Sequence, residues 1–433
     1  MKLHALLVAS VMGLFVLTAP LSAQDAEQDA AQEQSALEMR ADQVVALVNG
    51  ELEAPLAEVF TADFLTAVPE AQLATLSQQL VGQFGRALAV ERLDPPVGTR
   101  AELAVRMERT IAKGGIVIAP ADGDRIAGLN FTSFEPVDDS AEKIAAELSV
   151  LSGEVSAYFG PLDGGEAVIS IQPDAQFAVG STFKLYVLAA LAQDVALGRL
   201  AWDDQIALTV KSYPSGMMQD WPKGAPVTLQ TLASLMIAIS DNTATDQLIA
   251  LLGRDRVAKV MADSGHNTPD TNRPFLTTRE LFLLKAGNDD RLAAFKAADA
   301  QVRAQILDGM RGETLPLEQV NQAFASGPVA IDIEWFASAR DLSSLFRFMR
   351  ETADPRTFDL MTINPNVPAY LKDDWSFIGF KGGSEPGVLN YTYLLTDTNG
   401  RDYVLSLSWN NPDANVEHKA FDDLVTRILS LDR

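Results

Sequence analysis

The chain has no cysteine and only three histidines in 433 residues. Without a thiol there is no disulfide to staple the fold, no thiolate ligand and no cysteine nucleophile. His4 lies in an apolar leader, and His266 and His418 are too few for a zinc hydrolase site of the usual kind. No metal and no cofactor are therefore expected. Basic residues are scarce as well: 34 Lys and Arg face 58 Asp and Glu, for a net charge of −24. So acidic a surface repels phosphate backbones and anionic lipid, which argues against nucleic acid as a partner. Long apolar runs are missing except at the start of the chain. What remains for chemistry is serine, lysine and carboxylate.

Residues 1–23 open with Lys2, continue through an almost wholly apolar stretch over 6–17, and end Ala19-Pro-Leu-Ser-Ala23 before an acidic segment. That pattern predicts a secretory signal peptide cleaved after Ala23, and a periplasmic or secreted protein. An uncleaved anchor is the alternative, though the apolar core is short for a membrane span. Cleavage removes Lys2, takes the net charge from −24 to −25, and leaves no further stretch able to cross a bilayer. Residues 24–37 are rich in Gln, Glu and Ala and read as a flexible tether. The composition, 47% hydrophobic and 21% charged over the whole chain, is enough for two domains.

The first domain is expected over 38–135. Helical spacing appears at 37–50, 56–64 and 71–84, followed by strand patterns at 87–93, 102–109, 115–118 and 125–131. Turns are expected at Pro95-Pro96, Lys113-Gly-Gly115 and Asp122-Gly-Asp124. Helices followed by a small antiparallel sheet make a compact α+β domain. That order is similar to the cone-shaped family of nuclear transport factor 2 and ketosteroid isomerase. Isomerase chemistry there uses a tyrosine and carboxylates in an apolar pocket. Every tyrosine here lies at or beyond Tyr158, so a structural or substrate-gating role is expected.

The second domain is expected over 137–433. Ser140 caps a first helix, strands follow at 153–159 and 167–172, and Thr228 opens a helix over 229–239. Further helices are expected at 279–285 and 291–307, at 342–350 behind an Asp341 cap, and at 416–429. Strands at 376–381, 390–396 and 402–409 complete the pattern. The order predicts one antiparallel sheet, made from the N-terminal hairpin and three C-terminal strands, with an all-helical insert between.

Within this domain Phe177-Ala-Val-Gly-Ser181-Thr-Phe-Lys184 leads into a strongly apolar helix. Residues at i and i+3 share a helix face, which brings the Lys184 amine within reach of the Ser181 hydroxyl. Serine attacks well only when a neighbouring base takes its proton, and lysine is such a base when burial or nearby cations lower its pKa. Free N–H groups at the helix start suit a developing oxyanion. The spacing alone is weak, since Ser140-Ala-Glu-Lys143 repeats it and reads as an ordinary N-cap. Ser240-Asp-Asn242 alone could be a capping turn, and Lys381-Gly-Gly383 alone a strand end. Together, in this order, they make a constellation.

Ser181-Thr-Phe-Lys184, Ser240-Asp-Asn242 and Lys381-Gly-Gly383 resemble the ordered motifs of the penicillin-recognising serine enzymes, class A β-lactamases and penicillin-binding proteins. The resemblance covers about 137–433 and implies a β-lactamase-like fold. It implies that Ser181 is the acylated nucleophile, Lys184 its proton acceptor, and Ser240 the hydroxyl that passes a proton to the leaving group. Asn242 would wall the pocket, Lys381 would supply positive charge for an anionic substrate, and the Gly383-Ser384 strand end would offer the Ser384 N–H to an oxyanion hole shared with Ser181. Two departures stand out. Gly382 replaces the usual threonine, and the Ser384 side chain is expected to substitute for its hydroxyl. The loop 266–276 also lacks the family's Glu-x-x-Leu-Asn, whose glutamate activates the deacylating water. Asp270 is the loop's only carboxylate, and Glu280 falls in the next helix. This combination is similar to the class A-like serine hydrolases found with clavulanic acid biosynthesis, which look more like esterases than efficient β-lactamases. The expected substrate is a small β-lactam or related ester; a D,D-peptidase on peptidoglycan and a penicilloyl-binding sensor are the alternatives.

Overall fold

The computed structural model describes residues 23–433 apart from Gly98, Asp138 and Asp432. The expected signal peptide, except its last residue Ala23, lies outside the described residues. The chain divides between Asp139 and Ser140 into two compact units.

In the first unit, helices α1 (Ala23–Val48), α2 (Leu56–Val59), α3 (Ala62–Ala67) and α4 (Glu70–Phe84) precede four strands. These are β1 (Ala87–Val97), β2 (Arg100–Met107), β3 (Thr110–Ala119) and β4 (Arg125–Pro136), an antiparallel meander in chain order. Leu37, Ala41, Val44 and Val48 form one helical stripe on α1 and are buried with Leu103, Val105, Ile116 and Ile118 of the sheet. The stretch 24–37, expected as a tether, is helical as part of α1. Its Ala, Gln and Glu are good helix formers, and the buried stripe downstream supplies the nucleus from which they extend.

Two expected turns lie inside strands. Pro95 and Pro96 belong to β1, an edge strand that needs no N–H on its outer side, and the register shifts between Asp94 and Val97. Lys113-Gly-Gly115 lies within β3, where the ladder shifts register between Lys113 and Gly114. A Cβ at Gly114 would collide with the Asn130 carbonyl, so glycine here permits close approach of two backbones and does not mark a chain reversal.

The second unit starts with α5 (Ala141–Ser149), β5 (Glu154–Pro161), β6 (Ile169–Ile171) and β7 (Phe177–Ala178). A 3₁₀ turn over Gly180–Phe183 runs into α6 (Lys184–Ala196). The hairpin β8 (Gln205–Ala207) and β9 (Pro226–Thr228) precedes α7 (Leu229–Ala238), α8 (Asn242–Leu252), α9 (Arg254–Asp263) and α10 (Thr278–Lys285). Then come α11 (Asp289–Ala297), α12 (Ala300–Gly309), α13 (Leu317–Ala325), β10 (Phe336–Ala337), α14 (Ala339–Thr352) and α15 (Arg356–Met361). Strands β11 (Trp375–Glu385), β12 (Val388–Asp397) and β13 (Asp402–Asn410) and helix α16 (His418–Leu429) end the chain. The helix expected over 291–307 is two helices, broken at Ala298 and capped afresh by Asp299. Ser338, not Asp341, caps α14; Asp341 is the third residue of its capping box.

The main sheet is antiparallel in the order β11-β12-β13-β5-β6, the expected architecture. One of its faces packs on α5 and α16 through Ile144, Leu148, Phe421, Val425 and Ile428. The other meets the helical layer, where Leu394 and Val404 join the cluster built on α6. Every residue from Lys184 to Ala192 of α6 is buried, so this helix lacks a polar face and forms the centre of the unit. Each buried leucine or valine there contributes about 1.5–3 kcal/mol.

Candidate active site

Ser181 stands on the 3₁₀ turn between β7 and α6, where Gly180 has φ +48. A Cβ at Gly180 would lie 3.0 Å from the Ser384 N, and one at Gly383 would lie 2.5 Å from the Ser181 N. The end of β11 is thus pressed against the Ser181 turn, at a separation only two glycines allow. Both backbone N–H groups expected to hold an oxyanion, those of Ser181 and Ser384, lie at this junction.

Lys184 is completely buried and donates three hydrogen bonds: to the Ser240 carbonyl at 2.7 Å, the Ser240 Oγ at 3.0 Å and the Asn242 Oδ1 at 2.7 Å. The spacing predicted its reach toward Ser181; these bonds run to the Ser-Asp-Asn segment. Burial pushes the Lys184 amine well below its ordinary pKa and the Lys381 charge adds to this, while Asp246 and Asp241 oppose it. Lys381, two residues before Gly383 on β11, donates to the Ser240 Oγ at 3.2 Å and to the Gly382 carbonyl. Its amine is lowered by burial to about 7. The Ser240 hydroxyl therefore bridges two lysines, both more ready to give up a proton than a lysine in water.

The Ser240 backbone has φ +58, a conformation that costs a non-glycine residue about 1–3 kcal/mol. The neighbouring contacts hold it. Asp241 caps α8 by accepting from the Ala244 N at 2.9 Å, and its other oxygen accepts from the Met217 N at 2.7 Å and the Met218 N at 2.8 Å. Asn242 donates to the Tyr213 carbonyl at 3.1 Å, which aims its Oδ1 at Lys184. These supports are not visible in the sequence, because the segment 213–218 shows no periodicity and no motif.

Ser181, Asn242 and Ser384 line one cleft of about 380 Å³, whose apolar wall includes Leu281, Phe282, Val320, Phe324 and Trp335. The two carboxylates that the sequence offers in place of the family glutamate are engaged elsewhere. The Asp270 side chain is 88% exposed and pairs with Arg273 at 3.0 Å. Glu280 closes the capping box with Thr277 at the start of α10 and pairs with Arg254 at 2.7 Å. Two other glutamates, Glu334 and Glu385, do line the cleft, and both pair with Lys285 of α10. Motif and spacing do not reveal them, although Glu385 shares strand parity with Lys381 and so the same face of β11.

The arrangement offers a hydroxyl at a helix start, a buried lysine able to lose its proton, a bridging hydroxyl, and converging N–H groups. Those are the parts of an acyl-transfer site. The model of the family described as "Beta-lactamase enzyme family" matches residues 139–430. No curated protein matches the chain. Among solved structures, the β-lactamase from Sphaerobacter thermophilus is similar at 22% identity and TM-score 0.47, covering 67% of this chain and 94% of that one. PBP-A is similar at 19% identity and TM-score 0.45, over 67% and 92%. A β-lactamase from Chitinophaga pinensis is similar at 16% identity and TM-score 0.46, over 67% and 95%. With the family match spanning well over half of its length, the chain belongs to the β-lactamase enzyme family and is a serine hydrolase.

Proposed function

We propose that the protein is a secreted hydrolase that forms an acyl-enzyme on Ser181 with β-lactams or related esters and turns β-lactams over slowly. The observation that carries this reading is the buried Lys184, bonded to both Ser240 and Asn242 and depressed well below the usual lysine range. A neutral Lys184 takes the Ser181 proton, directly or through the Ser240 hydroxyl, as Oγ attacks the carbonyl carbon. The resulting oxyanion is held by the N–H groups of Ser181 and Ser384. Ser240 then passes a proton to the departing nitrogen or oxygen, and Lys381 holds the substrate carboxylate. The exposed Ser384 side chain supplies the hydroxyl that Gly382 cannot.

Slow turnover is inferred from the positions of Asp270 and Glu280, both tied up outside the cleft. In this reading the protein is similar to the hydrolases of the clavulanic acid type. The first unit, helices followed by a four-stranded meander, is proposed as a relative of nuclear transport factor 2 and ketosteroid isomerase with a structural or gating role. Among the described residues no helix is long and apolar enough to cross a membrane.

Intact-mass measurement after mixing with a penicillin tests the proposal. One penicilloyl adduct on Ser181 should appear in a burst and clear slowly. Absence of any adduct overturns the reading, and rapid release of D-alanine from a D-alanyl-D-alanine peptide would identify a D,D-peptidase instead.

A further inference from the structure

Two glutamates that line the cleft, Glu334 and Glu385, share one lysine, Lys285, and none of the three is used in the acylation described above. Lys285, on the last turn of α10, has a fully buried amine that donates to Glu334 at 2.9 Å and also to Glu385. The Glu334 side chain is 1% exposed and additionally accepts from the Trp335 N at 3.3 Å. Glu385 is the more open of the two carboxyls, with its side chain 12% exposed. Two buried carboxyls beside a single ammonium cannot both ionise without leaving a net buried charge, an expensive arrangement for a purely structural ion pair. Glu385 also lies on the active cleft, with Ser181 and Ser384.

Strand geometry fixes where it stands. Lys381, Gly383 and Glu385 alternate along β11 and therefore face the same side. Gly383, in the middle, is the residue pressed against the Ser181 N. Lys381 reaches Ser240 on one side of this contact. Glu385 stands on the other side, away from the leaving-group hydroxyl, and lines the same cleft as Ser181.

We propose that Glu385, oriented by Lys285 and Glu334, is the base that activates the deacylating water. This rests on the Ser181 acyl-enzyme reading above. In the step, Glu385 carboxylate takes one proton from water while the water oxygen bonds to the acyl carbon. The carbonyl electrons move to the oxygen held by the Ser181 and Ser384 N–H groups. They return as the bond from the acyl carbon to Ser181 Oγ breaks, and Oγ takes back a proton from Glu385. The product is the free acid, and both residues end as they began.

Burial and the nearby Glu334 charge raise the Glu385 carboxyl well above its ordinary range, against the opposing pull of Lys285. Among the described residues these are the charged groups that meet it, one from α10 and one from the segment before β10. The raised carboxyl becomes a base as pH rises through its pKa, so deacylation should accelerate with rising pH, while acylation does not follow that curve.

The test is the clearance of the penicilloyl adduct, followed by intact mass across a pH series in the full-length protein. Glu385→Gln should slow deacylation by about 10²-fold or more, leave acylation unchanged, and abolish its rise with pH. Glu385→Asp keeps the charge and the lysine pairing but withdraws the carboxylate by one methylene, and should give an intermediate loss. Lys285→Met should move that rise to higher pH. Clearance by Glu385→Gln at the native rate across the series overturns the proposal. Equal loss of acylation and deacylation also does, because it marks a packing role. Should Glu385→Gln fail to fold, native clearance by Glu385→Asp with no shift in its pH profile does the same. If the native protein never acquires an adduct, the Ser181 reading fails and not this inference alone.

Discussion

Ser140-Ala-Glu-Lys143 and Ser181-Thr-Phe-Lys184 have the same spacing, and each serine starts a helical segment, yet their surroundings differ entirely. The Ser140 hydroxyl accepts from the Lys143 N at 3.2 Å, an ordinary cap, and Lys143 is exposed. Helix α5 is amphipathic and buries only Ile144 and Leu148. No side chain caps the turn at Ser181, and its lysine is buried in a helix with apolar residues on every side. The difference lies in the residues on the C-terminal side of each motif. An apolar run draws the second lysine out of water, and the cost of its charge makes it a base; a half-polar helix leaves the first as a surface cation.

The sharpest contrast comes from removing each segment's chemistry. Ser181→Ala should abolish covalent labelling by penicillin completely with folding retained, because the hydroxyl at this helix start contributes little packing. Persistent labelling of the variant would remove Ser181 as the nucleophile. Lys184→Ala should lower the acylation rate by about 10²–10⁴-fold, the usual contribution of a positioned base, whereas Lys143→Ala should leave it unchanged.

A second prediction addresses the contact that only the Ser181 turn has. A methyl at Gly383 would meet the Val179 carbonyl and lie 2.5 Å from the Ser181 N and 2.6 Å from the Thr182 N. Gly383→Ala must therefore push β11 away from the turn and separate the two oxyanion donors. Loss of one such donor costs about 10²–10³-fold in rate, and a loss of that size in penicillin acylation is expected. Wild-type kinetics in this variant would show that the junction does not form the oxyanion site.

Much of this is legible in the sequence itself. The sheet of the second unit can be read because β-branched and aromatic residues alternate between clear turn signals, and the three motifs can be read as an ordered set. Strand ends are less clear. Pro95-Pro96 and Lys113-Gly-Gly115 look like turns because proline and glycine disfavour ladders, but edge position and a register shift absorb them. The cluster of Lys285, Glu334 and Glu385 comes from three segments distant in sequence and carries no local pattern. Asp241 reads as a motif letter, while in the fold it locks Met217 and Met218 to the start of α8.

The two lysines of the site can be separated by pH. Lys381, lowered to about 7 by burial, is charged below that value and neutral above it. Capture of an anionic penicillin should weaken as pH rises through about 7, seen as a falling kcat/KM, while a neutral ester should not show this fall. Lys381→Ala should cost penicillin about 10- to 100-fold, the range for a lost hydrogen bond to a charged group, and remove the fall. Equal losses for both substrates would assign Lys381 a role other than charge recognition.

The smallest expected effect belongs to the first segment. Ser140→Ala removes the cap of α5 and should cost about 1 kcal/mol, read as a lower denaturation midpoint with unchanged slope. Activity should not change, since Ser140 belongs to a helix that packs on the sheet face opposite the helical layer. The loss should also depend on pH. The Glu142 carboxyl is held below its ordinary 4.5 by its own backbone N–H and then by the Ser140 hydroxyl. A depressed carboxylate contributes stability above its unfolded pKa and loses it as pH falls through the folded value. The gap between native protein and variant should therefore be widest near neutral pH and narrow on acidification below about 4.5. A gap that stays constant from about pH 7 to about pH 3, across the carboxylate range, would mean that the cap acts through the Lys143 N alone. A matching loss of acylation would mean that the two segments are not as separate as their burial makes them.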